Sequence, residues 1–285
     1  MLDRIIQETR AYYCLECGIC TGSCPISRFD SGYSPRLMVE NALLEPPEKT
    51  IWDKGVWSCL TCRACSSRCP SQVDYNEFTR GARVVAREAG QTGICTHAGT
   101  LQALMELQTV EFFRKDTSWI RDSLRVSEQG EYLYFVGCLP YFNIVFKDIG
   151  MDGLQTARSA IKVLNAMGII PAVSPKERCC GHDLYWSGDL SNFRELARRN
   201  LKMIKETGAR TVVFSCPEGY STFKLLYPKF FGRLKFEVLH LSELVSRRME
   251  KGGMALKETP GRVTYQDPLP AGEVSRGLRG TPSGP

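Results

Sequence analysis

Two cysteine runs near the amino terminus carry the most specific chemistry in the sequence. They are Cys14-x-x-Cys17-x-x-Cys20-x-x-x-Cys24-Pro25 and Cys59-x-x-Cys62-x-x-Cys65-x-x-x-Cys69-Pro70. Their shared spacing is the ligand pattern of a protein holding two [4Fe–4S] clusters. Three thiolates stepped three residues apart grip three iron corners of one cube, and the fourth, after a longer step, points to the other cluster. By this crossed rule Cys14, Cys17, Cys20 and Cys69 hold cluster 1, and Cys59, Cys62, Cys65 and Cys24 hold cluster 2. Zinc also accepts four thiolates, but its modules usually place two Cys-x-x-Cys pairs far apart. A disulfide framework needs an oxidising compartment, and nothing marks the chain as secreted.

The elements that position these runs lie in a chain long enough for two domains, with 285 residues. Its 43% hydrophobic and 24% charged content is ordinary for a globular protein. Thirteen cysteines point to metal ligation in a reducing compartment. The first ten residues mix both charge signs and lack an apolar stretch, so they do not read as a secretory signal. The longest uncharged run, 133–146, is too short to span a bilayer. The expected location is therefore the cytoplasm, with peripheral membrane docking through partners. The net charge of +6 is scattered and compensates anionic clusters; no basic stripe points to nucleic acid.

Residues 1–13 read as a helix with Leu2, Ile5, Ile6 and Thr9 on one face. Ser34 caps a helix over 36–44 that starts at Pro35 and is stopped by Glu45-Pro46-Pro47. A second helix, 75–89, ends at Gly90, and its Arg80, Arg83 and Arg87 read as a solvated face. Cys95 and His97 read as a packed cysteine and a hydrogen-bonded histidine rather than ligands. A helix over 100–113 leads into a linker, 115–130. From residue 131 strands alternate with helices: strands at 132–136, 169–173 and 211–215, a helix carrying Leu154 to Met167 and stopped by Gly168, and a helix from Asp189 to Gly208. This alternation predicts an α/β layer with a mainly parallel sheet.

The remaining thiols gather at the ends of those strands. Cys138 and Cys216 follow strands directly, and Cys179-Cys180 lies in a loop beyond a third. Loops at the carboxyl ends of strands form the ligand crevice of open α/β sheets, so Cys138, Cys179, Cys180 and Cys216 are expected to converge on a metal. A helix opened by Pro217 would favour the Cys216 thiolate.

Cys138, Cys179-Cys180-Gly181 and Cys216-Pro217-Glu218 together resemble one copy of the cysteine-rich CCG domain. That domain occurs in heterodisulfide reductases and in iron–sulfur subunits of glycolate, lactate and glycerol-3-phosphate oxidoreductases. The amino-terminal half is similar to the all-helical ferredoxin domain of heterodisulfide reductases. The resemblance implies a helical dicluster domain over 1–95, a helical linker over 96–130 and a CCG α/β domain over 131–268. It also implies an electron-transfer subunit that works with a flavoprotein and other redox subunits and is not catalytic alone. At the CCG site it implies a third iron–sulfur cluster or zinc. The family's fullest motif has a fifth cysteine where this chain has Gly219, and family members usually carry two CCG copies. Residues 263–268 resemble the strand leading into the second copy, but the Gly- and Pro-rich tail 269–285 reads as disordered and as a frameshift product, or else a partner chain supplies the second half. Two alternatives remain: the iron–sulfur subunit of a glycolate, lactate or glycerol-3-phosphate dehydrogenase feeding quinone, and a zinc-stabilised scaffold.

Overall fold

A computed structural model describes residues 1–93, 99–255, 257, 260–262 and 264. Cys95, His97 and the tail 269–285 lie outside the described residues. The chain divides into two compact units. One comprises Met1–Gln102 with Asp183–Ser191, the other Ala103–His182 with Asn192–Pro285.

Among the described residues of the first unit every regular element is a helix, as its spacing and caps predict. Helix Leu2–Glu8 buries Leu2 and Ile6 and then gives way to a tighter turn, Ala11–Tyr13. Ser34 accepts from the Leu37 amide at 3.3 Å, Pro35 occupies the first helical position, and the helix ends at Leu44. Pro47, expected only as a stop, also opens a short helix, Pro47–Ile51, because its fixed φ suits a first turn. Asp74 caps Tyr75–Glu88 by accepting from Glu77 N at 3.3 Å. This helix crosses Leu2–Glu8 so closely that a Cβ on Gly81 would sit 2.7 Å from Ile5. Around the crossing, Leu2, Ile6, Met38, Val39, Val56 and Phe78 form a core that also encloses Cys24 and Cys65.

The three arginines of Tyr75–Glu88 do not form a solvated face. Arg83 is 6% exposed and donates to the carbonyls of Val56 (2.9 Å), Cys59 (2.7 Å) and Trp186 (2.8 Å). Arg87 bonds the buried Asp189 at 3.0 Å, and Arg80 lies over the Tyr185 ring. The cause is the segment Asp183–Ser191, which belongs to this unit despite its distance in sequence. Helical periodicity reports which face is apolar and carries no information about a remote segment that covers a charged one.

The second unit is built on three parallel strands in the order β1 (Tyr132–Phe135), β2 (Thr211–Phe214) and β3 (Glu237–His240). Tyr132 pairs with Thr211, and Thr211 with Glu237. All four residues of β2 are buried, as a central parallel strand requires. The strand expected at 169–173 is reduced to single bridges from Ala172 to Leu133 and Ser127. Ala172 exchanges bonds with the β1 backbone at 2.7 and 3.0 Å, while Pro171 O and Val173 N bond Ser127 on the other side, where Pro171 has no amide with which to extend the ladder. β3 and the helix Leu241–Glu250 add to the elements that the sequence predicts. Helices Gly153–Ala166 and Leu190–Thr207 end at Gly168 and Gly208, both with positive φ, as the sequence indicates. Residues of the expected linker join this unit: Trp119 and Leu124 lie in its core, and Lys115 is 4% exposed. Among the described residues no helix is long and apolar enough to cross a membrane.

Candidate iron–sulfur and metal centres

The two cysteine runs lie in irregular loops between short helices of the first unit. Glu16, Thr61 and Arg63 take positive φ (51°, 52° and 61°), a conformation that costs non-glycine residues energy and bends the loops around their thiols. Backbone amides consequently point at sulfur: Thr61 N donates to Cys59 Sγ at 3.3 Å and Val73 N to Cys69 Sγ at 3.4 Å.

Cys14, Cys17 and Cys20 of the first run and Cys69 of the second line one cavity, the crossed set expected for cluster 1. Cys65 reaches the same cavity, so its wall does not by itself separate the two sets. Cys59, Cys62 and Cys65 lie close enough that burial, then Cys59 and Cys62, push the Cys65 thiol up to about 12. Cys24 and Cys59 both bear on the buried Tyr33 hydroxyl, which meets Tyr75 OH at 2.9 Å. Burial raises the Cys59 thiol, while the Thr61 amide and the Arg83 guanidinium lower it. Every described cysteine is a free thiol, and the all-sulfur donor sets fit iron–sulfur clusters.

In the second unit the four expected thiols come together. Cys138 Sγ and Cys179 Sγ are 3.6 Å apart. Cys180 is raised overall: the bond with Cys179 lowers it, but burial, Cys138 and Cys216 outweigh that. Cys216 is pushed up to about 12 by burial against the opposing amides of Gly219 and Glu218. Thiols held as high as those of Cys179, Cys180 and Cys216 need a cation to become thiolates, which is the service a metal provides. The Tyr141 hydroxyl is buried without a hydrogen-bond partner, and its pKa is raised by burial, Glu177, Cys138 and Cys179. An orphaned donor beside two thiols fits a sulfur-rich centre that would accept from it.

Residues that sequence reasoning missed hold this thiol set. Asn200, fully buried in helix Leu190–Thr207, accepts from Arg178 N (2.9 Å) and donates to Cys179 O (3.0 Å) and Tyr227 OH (3.2 Å). Tyr227 donates in turn to Cys180 O at 3.1 Å. Cys179 N donates to Gln108 Oε1 at 2.7 Å. Glu177 accepts from Val136 N and Gly137 N, both at 2.9 Å, and is paired at 2.5 Å with Lys115, which also donates to Gly137 O at 2.7 Å. The loop before Cys138 is thereby tied to the residue two before Cys179. Gly181 is required: its φ is +84°, and a Cβ would stand 2.8 Å from Phe193. Only the acid–base pair left a sequence trace, as charges flanking apolar segments, and nothing local distinguishes it from surface charge.

Family comparison finds a 4Fe-4S dicluster domain over residues 10–73 and a cysteine-rich domain over 132–224. The chain is 24% identical to one subunit of the dihydromethanophenazine:CoB–CoM heterodisulfide reductase of Methanosarcina barkeri, covering 91% of this chain and 68% of that protein. A probable glycolate oxidase iron-sulfur subunit of Bacillus subtilis is 27% identical over 92% of this chain and 71% of its own length. One subunit of the H2:CoB–CoM heterodisulfide, ferredoxin reductase of Methanothermobacter thermautotrophicus is 38% identical, over 27% of this chain and 42% of its own.

Proposed function

We propose that this chain, a 4Fe-4S dicluster domain joined to a cysteine-rich domain and homologous to the Methanosarcina heterodisulfide reductase subunit and related iron–sulfur proteins, is the electron-transfer subunit of a multisubunit oxidoreductase. Cys14, Cys17, Cys20 and Cys69 would hold one cluster and Cys59, Cys62, Cys65 and Cys24 the other. Cys138, Cys179, Cys180 and Cys216 would hold a third metal centre. Clusters of this kind supply single-electron transfer at potentials set by hydrogen bonds and burial. The protein's own part is to orient the thiols through Asn200 and Glu177, and to donate amide and hydroxyl hydrogens to sulfur. The observation that carries the reading is the convergence of four thiols from separate loops of the second unit in the same chain as two dicluster loops.

The expected partners are a flavoprotein and a chain like the Methanothermobacter reductase subunit, with a second cysteine-rich half supplied by another chain. A disulfide acceptor would take two electrons and two protons to give two thiols, with its S–S bond broken. In the alternative reading, favoured by the glycolate oxidase relative, electrons would come from a hydroxy acid and leave to quinone. The expected setting is cytoplasmic, docked to a membrane through partners. For the third centre, the 3.6 Å Sγ separation approaches the ~3.8 Å edge of a tetrahedral zinc–thiolate site.

Anaerobic purification with iron, sulfide and zinc counts and EPR tests this. About eight irons with one zinc gives a zinc third site, and about twelve irons gives a third cluster. Cys216→Ser should remove only the third centre; loss of a dicluster signal instead would overturn the ligand partition. Reduction by a hydrogenase or reduced-ferredoxin partner, as against lactate or glycolate with their dehydrogenase, separates the two readings.

A further inference from the structure

A polar cavity of about 130 Å³ in the second unit collects cations from three separate stretches of chain: Arg114, Lys176 with Arg178, and Arg199 with Lys202. Two carboxylates share its lining, Glu111 and Glu206, so the lining carries an excess of positive charge. Lys176 is answered by Glu206 at 2.8 Å and Arg199 by Glu195 at 2.8 Å. Among the described residues no carboxylate pairs with Arg178, which is 3% exposed. Its terminal nitrogens donate to the carbonyls of Lys176 (2.8 Å), Glu177 (3.4 Å) and Glu111 (3.3 Å), its guanidinium stacks on Phe113, and its Nε is buried without a hydrogen-bond partner. A folded protein gathers like charges around a buried arginine at a cost, and an anion removes that cost.

We propose that this cavity is a binding site for a small tetrahedral oxyanion: free phosphate or sulfate, or the phosphate or sulfonate group of a small organic molecule. Guanidinium forks match such oxygens in pairs, and ammonium groups add point charge. A water needs about 10–15 Å³ of such space, so the cavity has room for the five heavy atoms of the group. The site is separate from the four thiols, yet it shares their supports. Arg178 immediately precedes Cys179-Cys180, and the helix that carries Arg199 and Lys202 also carries Asn200, which holds the Cys179 carbonyl.

The test is isothermal titration of the full chain, purified anaerobically with its metals, using inorganic phosphate at constant ionic strength set with chloride. Saturable binding is expected, weakened at least tenfold in Lys202→Glu and in Arg114→Glu, the loss of about one charge-assisted contact. Both positions are exposed, so these variants keep the fold, and circular dichroism melts verify that. Glycerol phosphate and methanesulfonate are titrated in parallel. Binding of phosphate alone makes the free ion the ligand, and tighter binding of an organic anion makes its head group the ligand. No saturable binding of any of the three, or equal binding by both variants, would overturn the proposal.

Discussion

The two sets of thiols are held by opposite strategies. In the dicluster loops the ligands sit three residues apart, Cys17 is exposed, and the loop backbone itself aims amides at sulfur. In the cysteine-rich unit the ligands come from beyond the ends of β1 and β2 and from the loop after the Ala172 bridges, Cys179 and Cys180 are buried, and support from residues far away in sequence joins that of local amides. A site made by local chain geometry tolerates change in its surroundings. A site made by convergence depends on every element that converges.

The largest expected effect tests that dependence. Glu177→Ala would leave Lys115 unpaired in a 4% exposed position and release the amides of Val136 and Gly137. Breaking such a buried pair costs about 3–5 kcal/mol. Chemical denaturation should show that loss together with loss of the third centre, while the dicluster EPR signals persist. A simultaneous collapse of both signals would erase the contrast.

A pair of glycines probes the same contrast through packing. Gly181→Ala combines positive φ with a 2.8 Å approach to Phe193 and should cost about 3 kcal/mol. Gly18→Ala, in the first cysteine loop, has φ +77° but open space around it, and should cost only about 1–2 kcal/mol. Melts of the two variants give the comparison directly; equal losses would mean that packing does not distinguish the regions.

The pH dependence follows from the raised thiols. With Cys216 near 12 in the folded state and lower when unfolded, its protonated form stabilises the metal-free fold at and below neutral pH. That contribution falls as pH rises from about 9 to 12, by up to about 1.4 kcal/mol per pH unit per thiol. Metal reverses the sign, because binding releases the protons and weakens as pH falls. Melts of metal-free chain between pH 8 and 11, set beside zinc or iron retention between pH 8 and 6, measure the two slopes.

The smallest effect is the most local. Tyr141→Phe removes an unpartnered buried hydroxyl beside Cys138 and Cys179. In the loaded protein it should shift the EPR signal or potential of a third cluster to lower values, or weaken zinc retention, and leave the dicluster potentials unchanged. An unchanged third centre would mean that the hydroxyl donates to nothing there.

Spacing, caps and apolar runs are local, and they suffice for the dicluster pattern, the Ser34 cap and the placement of Cys138, Cys179, Cys180 and Cys216 after strand-like segments. Pro171 was legible too, and its missing amide limits the pairing of the stretch 169–173 on the Ser127 side, where a strand was expected. Only the folded chain reveals that Arg83 is buried against Cys59, that Asp183–Ser191 belongs with the dicluster unit, and that Lys115, Glu177 and Asn200 secure the thiol pair. The physical reason is that a buried charge or amide is stable only with partners. For Arg83 those partners lie from 24 to 103 residues away, and periodicity along one element cannot record them.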